Sequence, residues 1–169
     1  MTRPEQSEFA PFYANYVARV PQLNGLTALK ESGVDFVKLL QSMPPEKAHY
    51  RYAPGKWSVN ELVQHLIDAE IIFSYRALRI ARGDKTPLAG FDENEYAKNT
   101  FADSKSLAEL ILLFEQTRKS TLFLFGSFDA STHENTGFAS NAPVSVRALC
   151  FITAGHTLHH ASVLKERYL

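Results

Sequence analysis

Hydrophobic positions along this chain recur at helical spacing in four long segments, and no stretch alternates convincingly enough to read as a strand. The first segment runs from about Gln22 to Met43, with Leu26, Leu29, Phe36, Val37 and Leu40 on one side. Pro44-Pro45 ends it, because proline cannot continue a helix. The second opens at Ser58, where Ser58-Val59-Asn60-Glu61 fits a capping box and Trp57 with Leu62 fits a hydrophobic staple. It continues through His65 to about Arg82 and stops at Gly83-Asp84. The third spans roughly Ser104 to Phe125, striped by Leu107, Leu110, Ile111, Phe114 and Leu122. The fourth spans roughly Pro143 to Arg167, with the proline near its start, where a missing amide costs nothing.

Four amphipathic helices predict an all-α chain, folded as a four-helix bundle. About twenty residues, Gly83 to Asp103, join the second helix to the third, and a link that long crosses a bundle or lines a site. Phe91, Tyr96 and Phe101 are expected to pin it to the body. The residues before Gln22 carry Phe9, Phe12, Tyr13 and Tyr16, which predicts an aromatic arm (residues 1–21) packed on the bundle. No repeat, low-complexity tract or composition break divides the chain, so residues 1–169 are expected to form a single domain.

Charge narrows the partners. Lys plus Arg and Asp plus Glu both number 18, and no basic stripe appears, which argues against DNA or RNA. The first ten residues lack the apolar core of a signal peptide, and no apolar run approaches the roughly 20 residues that span a bilayer. The expectation is a cytoplasmic protein that binds no membrane. The single cysteine, Cys150, lies in the apolar run Ala148 to Ile152 and reads as a buried, inert thiol.

The candidate chemistry lies in three histidines: His65 on the second helix, and His156 with His160 on the fourth. Side chains at i and i+4 share a helix face and can chelate one ion, and a third ligand from another helix would leave coordination positions open for substrate. Residues advance about 100° along a helix, so with Leu149 at zero, His156 falls near 340° and His160 near 20°, straddling the apolar stripe. His159, near 280°, flanks it. His65 lies roughly 60° from the centre of its own stripe, inward but not central. Two buried neutral imidazoles need partners. A shared metal is one, and hydrogen bonds inside a purely structural core are another; spacing alone leaves both open. Thr157 follows His156 where the zinc-protease helix needs glutamate, which disfavours peptide hydrolysis by that route. Asp68 reads as a solvated charge or as an acceptor behind a ligating imidazole. Arg76, Arg79 and Arg82 drift around their helix and read as a solvated face. His49 and His133 have no evident partner.

The run Ala53-Pro54-Gly55-Lys56-Trp57-Ser58-Val59-Asn60-Glu61-Leu62-Val63-Gln64-His65-Leu66-Ile67-Asp68-Ala69-Glu70 resembles the first motif of the DinB-like superfamily, and Ala154 to His160 resembles its last. Tyr75 to Arg79 and Gly83 to Glu93 extend the likeness over nearly the whole chain. The resemblance implies a four-helix bundle holding a divalent metal, zinc or nickel, on His65, His156 and His160. It also implies chemistry on a small-molecule substrate through a metal-activated low-molecular-weight thiol. Two functions of different class follow. One is a metal-dependent transferase or hydrolase; the other is a non-catalytic metal- or ligand-binding bundle acting in stress responses. Homodimerisation is compatible with such a bundle, although no exposed apolar helix face singles itself out.

Overall fold

The computed structural model describes all 169 residues, and its core is four long helices: α2 (Gly25–Gln41), α3 (Val59–Ala81), α5 (Leu107–Gly126) and α6 (Val146–Arg167). Two short helices, α1 (Ala14–Arg19) and α4 (Glu93–Lys98), lie outside the four, and short 3-10 turns fill several links. The predicted capping box is present at α3: Ser58 Oγ accepts from the Glu61 amide, and Glu61 Oε2 accepts from the Ser58 amide. Ser106 and Glu109 repeat the device at α5.

Side-chain pairs give the helix directions. Asn60 Nδ2 donates to the Lys105 carbonyl, Arg118 meets Glu70, and Ser74 meets Thr121, so α3 and α5 run parallel. Phe36 against Phe114 and Ser32 against Arg118 make α2 antiparallel to α5. Tyr168 against Trp57 and His160 against His65 make α6 antiparallel to α3. Parallel α3 and α5 explain the long link, because the chain must travel back roughly 35 Å along the bundle before α5 can begin.

That crossover is tied at both ends. Ser58 Oγ donates to Asp103 Oδ1 at 2.6 Å, and Arg76 donates to the Ala89 carbonyl at 2.8 Å and to Ser140 Oγ at 3.1 Å. Phe91 packs against the core, but Tyr96 and Phe101 are exposed, by 47% and 78%, and do not pin the link; the buried Ala97 and Ala102 take that place.

A strand pair is the main departure from the sequence reading. β1 (Thr136–Ala139) and β2 (Ala142–Ser145) form an antiparallel hairpin, so α6 begins at Val146 rather than at Pro143. Its two-residue turn, Ser140-Asn141, has positive φ at both positions, the twist that tight hairpins favour. Four-residue strands without an Asn-Gly or Asp-Gly turn fall below what alternation can reveal. Leu88 of the crossover adds two backbone hydrogen bonds to the hairpin.

Two apolar clusters fill the bundle, one around Leu29, Phe125 and Phe151, the other around Phe36, Leu66 and Leu164. Arg118 is buried among α2, α3, α5 and α6. It clasps Glu70 with two hydrogen bonds of 2.8 Å and donates also to Leu29 O, Ser32 Oγ and Thr157 Oγ1. All five N–H groups of the guanidinium are used, which makes this buried ion pair tolerable. Gly33 faces it, where an added Cβ would fall 2.8 Å from Arg118 Nη1. At the N-terminus, Arg3 reaches the carbonyls of Val17, Val20 and Gln22, and Glu8 pairs with Arg147 at the start of α6. No helix is long and apolar enough to cross a membrane.

Candidate metal centre

His65 from α3 and His156 and His160 from α6 meet inside the bundle. His156 Nε2 lies 3.1 Å from His65 Nε2 and 3.0 Å from His160 Nε2, and the three potential ligand atoms all fall within 4.8 Å of one another. The i, i+4 spacing brings the α6 pair together, and the antiparallel crossing of α3 supplies the third ring. His65 is as buried as His160 despite its off-centre place on the stripe.

Burial pushes the His65 imidazolium down to about 4, with the neighbouring His159 charge adding to it. Burial likewise drives His156 and His160 well below the usual histidine range, reinforced by their imidazole neighbours and, for His156, by Arg118. All three rings are therefore neutral near pH 7, each with a free lone pair. Hydrogen bonds among them cannot satisfy the cluster: His156 Nε2 faces two partners, and a ring nitrogen has one in-plane bonding position. A cation placed among the three would satisfy every lone pair. Nitrogens about 2.0–2.1 Å from a tetrahedral zinc sit roughly 3.4 Å apart, within a few tenths of an ångström of the two separations that His156 Nε2 makes with its neighbours. The donor set fits a divalent zinc- or nickel-type ion. His160 Nδ1 is buried without a protein partner.

Beside the cluster lies a cleft of about 440 Å³. Its walls come from elements far apart in sequence: Phe12, Tyr13 and Tyr16 from the N-terminal arm, Trp57, Phe73 of α3, and Phe91 of the crossover. Glu93 and Ser140 add polar groups, and His159 lines the cleft without joining the trio. Trp57 sits 4.7 Å from His65, ring to ring, and Tyr16 sits 5.1 Å from His156 and 5.4 Å from His159. The staple reading of Trp57 did not foresee its place beside His65. The arm's aromatics were visible in the sequence, but their place at the site was not; Glu93 stood out only as the end of the Gly83 to Glu93 run, and Ser140 carried no local signal.

Other candidates fall away from the cleft. Asp68 accepts from Gln64 rather than from an imidazole, and burial raises its pKa. Arg76 is buried and braces the crossover, contrary to the solvated-face reading; Arg79 pairs with Asp84, and Arg82 stacks over Phe128. His49 lies 3.4 Å from Asp103 on the surface. Cys150 is fully buried, and burial pushes its thiol up to about 12, as an inert group requires.

Residues 28–164 match the family model of the DinB superfamily. No curated protein matches the sequence at a significant level. Among solved structures, YfiT from Bacillus subtilis, described as a probable metal-dependent hydrolase with an unusual four-helix bundle topology, aligns with a TM-score of 0.74. The alignment covers 96% of this chain and 89% of YfiT at 14% identity. The mycothiol-dependent maleylpyruvate isomerase aligns with a TM-score of 0.69 at 13% identity, over 82% of this chain and 58% of the isomerase. This chain thus spans little more than half of that enzyme, and at such identities the likeness is one of fold.

Proposed function

This chain belongs to the DinB superfamily, and from that premise we propose that it is a metal-dependent enzyme acting on a small molecule, with His65, His156 and His160 as the metal ligands. The observation that carries the reading is the convergence of three neutral, buried Nε2 atoms at the edge of an aromatic cleft. Three protein ligands facing a cavity make an open site rather than a closed structural one. Bound there, zinc or nickel would lower the pKa of a thiol or water and hold the resulting nucleophile for attack.

The chain's own residues supply the rest. Trp57, Phe73 and Tyr16 exclude water around the histidines and give an apolar body of substrate surfaces to lie on. Tyr13 and Tyr16 offer hydroxyls, with burial raising both phenols, so they remain protonated donors at neutral pH. The finer proposal is a transferase or hydrolase working through a low-molecular-weight thiol; the thiol-dependent isomerase of similar fold supports it.

The test is metal content by elemental mass spectrometry on untagged protein, beside His65→Ala and His160→Ala variants. About one zinc or nickel ion per chain, absent from both variants, is expected. A metal-free protein that cannot be reloaded, or an ion retained by both variants, would sink the proposal.

A further inference from the structure

The cleft holds one charge that the metal proposal leaves unused. Of its lining side chains only Glu93 is a carboxylate, and no lysine or arginine lines it. Glu93 forms no ion pair, although Glu95, two residues on, holds Lys98. Behind the wall, Arg76 donates to the Ala89 carbonyl and Ser140 Oγ and also acts on the Tyr13 phenol, as Arg19 does on that of Tyr16, but neither guanidinium lines the cleft. The carboxylate lies close enough to the arm for its charge to add to burial in raising the phenols of Tyr13 and Tyr16. Phe12, Tyr13, Tyr16 and Phe91 line the same cleft as Glu93.

We infer that the cleft takes a small molecule bearing an ammonium group, seated between the Glu93 carboxylate and these rings, with its reactive end towards the histidines. Aromatic faces attract cations through their quadrupole, and the partial exclusion of water strengthens that attraction. An unpaired carboxylate adds a Coulombic preference of the same sign and repels a carboxylate or phosphate at that end of the cleft. A neutral polyol would gain hydrogen bonds to Glu93 but nothing from the ring quadrupoles. The inference rests on the cleft being the substrate site proposed above.

Trp57 is the only tryptophan and lines this cleft, so its fluorescence reports occupancy directly. Metal-loaded protein and its Glu93→Gln variant would each be titrated with cysteamine, mercaptoethanol and mercaptopropionate. Both metal-free proteins would be titrated with choline and with its uncharged isostere, in which carbon replaces the quaternary nitrogen. Cysteamine is expected to bind about five- to tenfold tighter than the other thiols, and choline to exceed its isostere by a similar factor. Both preferences should collapse in Glu93→Gln while metal content is unchanged. Equal thiol affinities, or a preference for mercaptopropionate, would overturn the inference while leaving the metal site intact. Absence of metal-dependent binding by any thiol would instead count against the thiol proposal. In that case the choline pair still decides the cation preference, and equal binding of choline and its isostere would overturn it.

Discussion

Gly155 of α6 lies directly under the backbone of Tyr16: a Cβ added at position 155 would fall 2.0 Å from the Tyr16 carbonyl oxygen. The missing side chain lets α1 press onto α6 one residue before His156, and this close approach seats Tyr13 and Tyr16 in the cleft wall. Even alanine cannot be accommodated without moving α1, since the obstacle is backbone.

Gly155→Ala is therefore expected to destabilise the protein by about 1–3 kcal/mol, the usual cost of forcing atoms into a packed contact. Metal content should be retained, because α3 and α6 still bring the three histidines together, while ligand binding in the cleft weakens. Urea denaturation paired with metal analysis checks this. A variant of unchanged stability would show that α1 is not seated on α6 as described.

The lone tryptophan provides a second prediction. With its ring 4.7 Å from that of His65, Trp57 emission should change on metal addition and saturate at one equivalent of zinc. A chelator should then lower the melting temperature, since an ion bound only by the folded state at a thousand times its Kd contributes about 4 kcal/mol. His160→Ala should abolish both responses. A chelator effect that survives in that variant would place the ion elsewhere.

Acid should destabilise the metal-free protein. The folded-state pKa of His65 is depressed to about 4 against an ordinary 6.5, so between those values the unfolded chain binds more protons. Stability is intact above about pH 6.5 and falls as the pH drops through 4, by about 3 kcal/mol from His65 alone. His156 and His160 are shifted in the same direction and steepen the loss. Denaturant midpoints between pH 8 and pH 4 would show it, and His65→Ala should flatten the curve.

The buried clasp between Arg118 and Glu70 yields a double-mutant test. Arg118→Met leaves the Glu70 carboxylate buried and unpaired, for an expected loss of about 3–5 kcal/mol. Adding Glu70→Leu should recover most of it, because an apolar pair carries no desolvation penalty. If the double variant is no more stable than Arg118→Met, the lost contacts to Leu29, Ser32 and Thr157 matter more than the charge.

How far the sequence was legible varies with the residue. Ser58 and Glu61 announced the start of α3 because a capping box is complete within four residues. His156 and His160 could be placed on the inward face of α6 because helical facing needs only a residue count, and both are buried there. His65 was less legible, since burial of an off-centre residue depends on how closely α6 crosses. Arg76 was misread as solvated: its partners, Ala89 and Ser140, lie 13 and 64 residues away. Ser140 belongs to a hairpin too short to leave a period.

By itself the sequence determined the four long helices, their inward faces and the pairing of His156 with His160, all properties of residues a few positions apart and set by helical repeat and capping chemistry. Only the tertiary structure decided that α3 and α5 run parallel, that α3 delivers His65 to that pair, and that the arm, the crossover and the hairpin enclose the cleft beside it. Those relations join residues dozens of positions apart. They are selected by which packing buries the most apolar surface while satisfying groups such as Arg118, a balance over the whole chain that no local pattern records.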